Sequence, residues 1–453
     1  MTTPLEGIKV VDFSRVLAGP LCSRTLQDLG ATVTKVEPPR ADVSRFASPI
    51  FANGVSGYYA QQNAGKRNIC IDLNEADARE IALKLCDEAD VLVENFRPGT
   101  LAAFGLDYET LAERNPGLVY ISISGYGQGG PYKGRMAYAP TIQAEAGFTA
   151  NTLRHFGDNI HEAQTDALSH ADCYAGLQGA ISALAALRQR ERTGRGQHVD
   201  VAMAATVMSI NERAHVDLND LDDQLHDEPA ILGATEGSFF VGPGGEQFVS
   251  AITLVGTIMF RFFMAAMRRS DLALDPRFAT PTARRANLGE LKQIVQAWIF
   301  SFADMAALDA QLDEAKIAIG EVRSMSDLAD SEWGAYWGAI HEVSDRNGGT
   351  FRLPGRPWKF SDAELPVPGV PALQGEHNDE VLGELGYSAG DIAAMRERGV
   401  LVDNFASMMI AGVQAAVDAD LESLGMTPPP APVNARAVST ATEGDAAGRT
   451  DPT

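Results

Sequence analysis

Ile8-Lys9-Val10-Val11-Asp12-Phe13 is followed by Ser14-Arg15-Val16-Leu17-Ala18-Gly19-Pro20, by a helical stretch to Leu29-Gly30, and by Ala31 to Val36. The first run is short and β-rich. Gly19-Pro20 opens a helix, and Gly30 closes it in the manner of a helix C-cap. Ala31 to Val36 is a second strand. Outward from there the alternation continues. Asn68 to Asp72 reads as a third strand, and Asn74 to Ala89 as a helix capped by Asn74 with acidic residues in its first turn. Val91 to Glu94 and Leu118 to Ser122 add two short apolar strands. Strand and helix alternating over residues 8–125 predict an α/β fold with a largely parallel, helix-covered sheet. Ligands of such sheets bind outside the carboxyl ends of the strands. A site is therefore expected in the turns after Phe13, Val36, Glu94 and Ser122.

Beyond this region, Ala171-Asp172-Cys173-Tyr174-Ala175-Gly176 starts a long helix that runs to about Arg192. Its small residues, Ala175, Gly176, Gly179, Ala180 and Ala183, predict close packing of another helix or strand. A tight basic-glycine turn follows, Thr193-Gly194-Arg195-Gly196-Gln197. From about Leu232 to Val322 the pattern changes to a smaller α+β segment. Glu236 to Phe240 and Gln247 to Ile252 read as strands, Asp275-Pro276-Arg277-Phe278 as a turn, and 288–302 and 304–313 as helices. The expected organisation is a large α/β domain over 1–225, a small α+β domain over 226–345, and a C-terminal return to the large domain over 346–427. The Pro-, Ala- and Thr-rich tail, 428–453, has a disordered composition. No internal repeat is found.

The 453 residues favour two or three domains, or one large domain with an insertion, and 45% hydrophobic content supplies a sizeable core. Cys22, Cys70, Cys86 and Cys173 are widely and irregularly spaced, so neither a disulfide framework nor a metal site is indicated. They read as reduced, mostly buried thiols of a cytoplasmic protein. The first residues lack the pattern of a signal peptide. Phe248 to Met267 is apolar, but Thr253, Gly256, Thr257 and Arg261 interrupt it, which fits a buried segment better than a membrane span. A net charge of −23 argues against a general nucleic-acid binder. Any anionic ligand must be held by local cations and backbone N–H groups against that field.

Single motifs are weak. Glu94-Asn95-Phe96-Arg97-Pro98-Gly99 follows a strand; Arg97 suits a phosphate, Asn95 an amide and Phe96 a base, yet alone this reads as an ordinary βα turn. Asn63-Ala64-Gly65-Lys66-Arg67 offers two cations and alone reads as a solvated loop. Arg15 lies near a helix N-terminus, which suits anions. Ser124-Gly125-Tyr126-Gly127 is a glycine loop after a strand. No phosphate-binding GxxxxGK[ST] loop and no GxGxxG fingerprint follows the first strand, so nucleotide hydrolysis and NAD chemistry are poorly supported. Asp172 alone reads as a helix-start residue worth about 1 kcal/mol. Cys173 points elsewhere and reads as packing; His170 and His198 read as structural, and His377 as a helix cap. Together, turns suited to a phosphorylated ligand and one carboxylate at a helix start suggest an enzyme with Asp172 as nucleophile.

In combination these segments resemble the class III CoA-transferase family, the superfamily of formyl-CoA transferases, carnitine CoA-transferases and α-methylacyl-CoA racemases. The resemblance rests on Leu5 to Pro20, Asp28-Leu29-Gly30-Ala31, Lys35-Val36-Glu37-Pro38, Lys66-Arg67, Asn95 to Gly99, Ser124 to Gly127, Thr193 to Gln197, Asp275 to Phe278, Pro354-Gly355 and Gly375-Glu376-His377, in order over residues 4–400. It implies a Rossmann-like large domain built from both chain ends, a smaller inserted domain, and an interlocked homodimer. It implies contacts to coenzyme A at Arg15, Ala18, Asn63, Lys66, Asn95, Phe96, Arg97, Ser124, Gly125 and Tyr126, and it places the catalytic Asp on Asp172. Acyl-CoA and carboxylic acids would be the substrates, with no tightly bound cofactor, no metal, no nucleic acid and no membrane.

The implied reaction moves CoA from a thioester to a free acid through an aspartyl mixed anhydride and an aspartyl-CoA thioester. Racemases of this superfamily need an acid/base pair, placed near Tyr138-Ala139-Pro140. Ala137, Tyr138, Ala139 and Pro140 supply no imidazole, so transfer is preferred over racemisation or isomerisation. A non-catalytic CoA-binding protein is the third reading. The nearest glycine run for a lid over Asp172 is Val241-Gly242-Pro243-Gly244-Gly245. The donor, the acceptor acid and the role of the tail are not legible.

Overall fold

A computed structural model describes residues 2–51, 54–156, 162, 164–219, 239–250, 253–346, 348–367 and 369–404. The expected disordered tail lies outside these, as do Glu236 to Ser238, Ala251-Ile252 and the expected 225/226 boundary.

In chain order the first elements are β1 (Lys9–Asp12), α1 (Ala18–Asp28), β2 (Thr32–Glu37), α2 (Gly57–Asn63), β3 (Arg67–Cys70), α3 (Ala76–Asp87), β4 (Val91–Glu94), α4 (Tyr108–Arg114) and β5 (Val119–Ser124). They are followed by α5 (Ala139–Glu145), α6 (Phe148–Phe156), α7 (His170–Thr193), β6 (His198–Ala202), α8 (Met203–Ile210) and α9 (Ala214–Asp217). Next are β7 (Phe239–Val241), β8 (Gln247–Ser250), α10 (Thr257–Ala266), α11 (Pro281–Ala286), α12 (Leu288–Ile299), α13 (Met305–Glu314), β9 (Ile319–Glu321), α14 (Met325–Ala329) and α15 (Glu332–Trp337). The chain closes with β10 (Ile340–Ser344), β11 (Thr350–Pro354), α16 (Asn378–Glu384) and α17 (Ala389–Glu397).

The described residues form two compact units: those within 2–150, 162–210 and 335–404 in one, and those within 151–156 and 211–334 in the other. The larger unit contains a six-stranded sheet in the order β3-β2-β1-β4-β5-β6, with every neighbouring pair parallel. This is the Rossmann order, and the winding reverses between β1 and β4, where such sheets open a crevice at their carboxyl ends.

Both faces of the sheet are buried. On one, Ile81, Leu85, Leu111, Leu382 and Ile392 from the helices meet Val11, Ile69 and Leu92. On the other, Leu26, Ala175, Ala183 and Leu187 meet Val10, Val33, Val93 and Ile121. The small residues of α7 permit a close approach to α1. A Cβ on Gly176 would lie 2.5 Å from the Ala18 carbonyl oxygen, and one on Gly179 would lie 3.0 Å from Cys22 Sγ. The late part of the chain joins this unit through side chain–backbone bonds. Asn378 Oδ1 accepts from Cys70 N at 2.9 Å, and Asn68 Oδ1 accepts from Gly375 N at 2.7 Å.

The smaller unit has the antiparallel sheet β7-β8-β9 and a core that includes Phe248, Phe260, Phe263, Leu291 and Leu308. The apolar run from Phe248 to Met267 divides between β8 and α10, so its hydrophobic side chains build this core. No described helix is long and apolar enough to cross a membrane.

Two expected caps differ. Glu75, not Asn74, occupies the N-cap of α3, because the Asn74 amide donates to the Asp72 carboxylate at 2.8 Å. His377 does sit at the N-cap of α16 but makes no capping bond; its Nδ1 accepts from Asn68 N at 3.2 Å.

Candidate active site

The crevice at the sheet's switch point is a cavity of about 270 Å³. Three turns wall it: Arg15 to Ala18 after β1, Asn95 to Pro98 after β4, and Ser124 to Tyr126 at the end of β5. Ile123, Lys133, Arg135 to Pro140, Ser169, Asp172, Tyr58 and Met203 complete the lining. Thus Arg15, Ala18, Asn95, Phe96, Arg97, Ser124, Gly125, Tyr126 and Asp172 meet in one place. The sheet brings them together because each follows, or faces, the carboxyl end of a strand near the reversal.

Local bonds fix the turns. Asn95 Oδ1 accepts from Arg15 N at 2.9 Å, and its Nδ2 donates to Arg15 O at 2.8 Å. One donor and one acceptor of Asn95 therefore hold the neighbouring turn, where the sequence had offered them to a ligand amide. The Arg15 guanidinium lies 5.7 Å from the centre of the Phe96 ring. Arg97 Nη2 donates to Gly134 O at 2.8 Å. Ser124 Oγ accepts from Gly127 N at 3.1 Å, which closes the glycine turn. Gly125 must be glycine: a Cβ there would lie 2.2 Å from Ala137 Cβ. Tyr126 donates its hydroxyl to Glu145, and Arg135 lies 5.2 Å from its ring centre.

Asn63 and Lys66, also expected as CoA contacts, are not brought to this cavity. Both are buried, and neither lines the cavity. Lys66 Nζ bonds to Asp12 (3.0 Å), Pro20 O (2.9 Å), Ser23 Oγ (2.8 Å) and Asn63 Oδ1 (2.9 Å). Four oxygens thus surround its three N–H donors. Its neighbour Arg67 is directed to Glu384 instead, at 2.8 Å.

Lys66 belongs to a buried charged network behind the β1–α1 turn. Asp12, Glu37 and Asp42 are matched there by Lys35, Arg45 and Lys66, all nearly inaccessible to solvent. Burial pushes the Asp12 carboxyl up, but Lys66, Lys35 and the Ser14 and Ser23 hydroxyls outweigh it and hold its pKa at about 2. Glu37 is likewise held at about 2, where Arg45 outweighs burial.

Asp172 is half-buried in the first turn of α7. Burial lifts its pKa to about 6, opposed only by the backbone N–H groups of Ala139 and Ala18. No cation among the described residues contributes. Ala18 and Ala139 are the first residues of α1 and α5. Two other helix starts thus face the carboxyl, each with backbone donors and the positive end of a helix dipole. An uncompensated carboxylate beside preorganised N–H donors can attack an electrophilic carbonyl, and the donors can hold the oxyanion that forms.

Tyr58, Val16, Leu17, Ser169 and Met203 line the cavity and were not singled out by sequence. Burial, then Asp172 and Cys173, lift the Tyr58 hydroxyl to about 12, so it lines the cavity as a neutral phenol. The adjacent Tyr59 is fully buried and donates its hydroxyl to Glu37 at 2.9 Å. Burial, then Asp172, raises the Cys173 thiol. His170 stacks on Tyr174, and His198 stacks on Tyr108 while its Nε2 meets Ser122 Oγ at 2.9 Å. Among the described residues no cluster suits a metal ion. The run Val241 to Gly245 forms the turn of the β7–β8 hairpin, closed by Gly242 N to Glu246 O at 2.6 Å.

Comparison with known proteins decides the family. Residues 5–378 match the family described as CoA-transferase family III. The chain belongs to that family, and it is a family III CoA-transferase enzyme. A formyl-CoA:oxalate CoA-transferase from Streptomyces avermitilis is 32% identical over 418 residues, covering 88% of this chain and 100% of the relative. A succinyl-CoA--D-citramalate CoA-transferase from Chloroflexus aurantiacus is 29% identical over 403 residues, covering 88% and 98%. The crystal structure of a CAIB/BAIF family protein from Brucella suis superposes with a TM-score of 0.70 at 32% identity, covering 85% of this chain and 100% of that one.

Proposed function

We propose that this enzyme moves CoA from an acyl-CoA thioester to a free carboxylic acid, with Asp172 as the covalent nucleophile. The observation that carries the reading is a carboxylate without a cationic partner, faced by the N–H groups of Ala18 and Ala139, at a cavity lined by Arg15, Asn95, Phe96 and Arg97.

The steps balance without a metal or an external energy source. Asp172 attacks the thioester carbonyl, and the helix-start N–H groups hold the oxyanion. Collapse expels CoA thiolate and leaves a mixed anhydride. The thiolate attacks the aspartyl carbonyl, which releases the donor acid and forms an aspartyl-CoA thioester. The acceptor carboxylate attacks that thioester, thiolate leaves, and its return to the acceptor's acyl carbon regenerates Asp172. Arg15 and Arg97 are suited to CoA phosphates, Phe96 to the base, and Ser124, Gly125 and Tyr126 to the pantetheine arm. A dimeric, cytoplasmic enzyme is part of this reading.

The cavity offers no imidazole at Ala137 to Pro140, which favours transfer over α-proton exchange. The relatives direct the choice of substrates to test: formyl-CoA and succinyl-CoA as donors, oxalate and citramalate as acceptors. The expected result is formation of a new CoA thioester without ATP. Solvent deuterium entering the α-carbon of an acyl-CoA, with no transfer to any acid, would instead establish an isomerase.

A further inference from the structure

The turn between β1 and α1 is strained at its centre. Val16 has φ +67°, a region that β-branched residues avoid. Such a conformation is unfavourable and persists only where its surroundings enforce it. The enforcement is visible. From Ser14 N to Val16 N, each backbone polar group is held by a side chain. Asp12 accepts from Ser14 N at 2.9 Å, and Lys35 Nζ donates to Ser14 O at 2.7 Å. Asn95 holds both Arg15 groups. Asp42 accepts from Val16 N through both carboxylate oxygens, each at 3.2 Å.

Asp42 is itself fixed. It is buried and paired with Lys35 at 3.1 Å, and its own N–H donates to Glu37 at 3.0 Å. Two residues beyond Val16, Ala18 lines the same cavity as Asp172, and its backbone N–H holds the Asp172 pKa down. The N-cap of α1, Leu17, makes no side-chain capping bond, so no side chain competes there with Asp172. The direction of that N–H therefore depends on the backbone at Val16.

We propose that Asp42 is a positioning residue for the chemistry at Asp172: by holding Val16 in the left-handed conformation, it aims the start of α1 at the nucleophile and at the oxyanion formed beside it. This rests on the reading of Asp172 as nucleophile. Lys35 serves the same end by neutralising Asp42 and fixing Ser14 O. Asp42 touches neither substrate nor Asp172, so its effect is transmitted through three residues of backbone.

The test replaces the buried pair as a unit, Lys35→Met with Asp42→Leu, because an ion pair exchanged for apolar groups is often tolerated where a half-pair is not. Asp42→Asn is the second variant, should the first not fold. Transfer is assayed with whichever of formyl-CoA or succinyl-CoA supports it. The expected kcat is about ten- to a hundredfold lower, with KM for the acyl-CoA within about threefold. Adding Val16→Gly should recover much of the loss, since glycine holds this φ unaided.

A substrate-free readout is the pH midpoint of carbodiimide labelling at Asp172, located by mass spectrometry. Tyr58 and Cys173, the titratable groups that feel the Asp172 charge, stay neutral through this range. The midpoint should rise above its starting value of about 6 as the Ala18 N–H turns away. A folded variant with unchanged kcat and an unmoved midpoint would overturn the proposal. Asp172→Ala, run alongside, separates the two claims. Retained transfer in that variant sinks the nucleophile assignment, while the labelling midpoint still judges the turn.

Discussion

Two carboxylates, Asp12 and Asp172, lie on opposite sides of the same backbone turn, and their surroundings drive them in opposite directions. Asp12 is sealed among Lys66, Lys35, Ser14 and Ser23, and these partners hold it at about 2 despite full burial. Asp172 is only half-buried, yet it rises to about 6 because no cation answers the loss of water. On the proposed mechanism, the difference separates a structural carboxylate from a reactive one. Ion pairing stabilises a charge and lowers its nucleophilicity. Backbone N–H donors leave it accessible and place a ready site for a developing oxyanion. The turn from Ser14 to Ala18 connects the two environments: one end is fastened to the buried network, and the other presents Ala18 N–H to the cavity.

The strongest way to break this contrast is to remove each carboxylate in turn. Asp172→Ala should lower transfer by roughly 10⁴-fold or more, as loss of a covalent nucleophile does, without lowering the thermal midpoint. Asp12→Asn should act on stability instead. It leaves the Lys66 ammonium buried with no anion and should cost about 3–5 kcal/mol, read from the urea midpoint at constant slope. Equal effects of both substitutions on kcat in folded proteins would erase the distinction.

The pH dependence of stability sharpens it, because the signs differ. The Asp12 pKa is depressed on folding, so its contribution is present above about pH 4 and is lost as pH falls toward 2. The Asp172 pKa is raised, so the folded state disfavours its ionised form. The resulting deficit appears as pH rises from about 4 to about 6 and is complete above that. Asp172→Asn should therefore stabilise the protein at pH 7.5, by up to about 3 kcal/mol, and the gain should vanish below pH 4. Denaturant midpoints measured across pH 3–8 decide this. The same titration gives wild-type kcat/KM an acid limb near pH 6, since the protonated carboxyl is a poor nucleophile.

A smaller effect tests the packing that links the regions. Gly176→Ala places a Cβ 2.5 Å from the Ala18 carbonyl oxygen. It should destabilise by about 1–3 kcal/mol and reduce kcat, because α1 must shift away from α7. The same change at exposed Gly194, where a Cβ meets open space, is strained by φ +70° but should leave kcat unaffected.

The alternation of strands and helices made the parallel sheet legible. β4 falls on the expected Val91 to Glu94, and β1, β2, β3 and β5 differ from expectation by a few end residues. The long helix at Asp172 was equally plain, because Gly194 ends it with a left-handed residue. The burial of Lys66 was not legible, because a Gly-Lys-Arg run gives no sign of which cation turns inward. The sign lay instead in β2, where Lys35 and Glu37 occupy a central strand buried on both faces. Charges at such positions require buried partners, which are Asp42, Arg45 and Tyr59. Those partners come from segments distant in sequence, so spacing did not reveal them. The Ala18 and Ala139 N–H groups were hidden for a different reason: a backbone donor has no residue type.

The central claim is that Asp172 carries the acyl group. The direct measurement is peptide mass spectrometry after incubation with formyl-CoA and succinyl-CoA, with hydroxylamine trapping of the activated carboxyl. The account predicts a hydroxamate on Asp172, formed only when thioester is present and absent from Asp172→Asn. Active transfer with no modification at Asp172, or with the label on another residue, would contradict it.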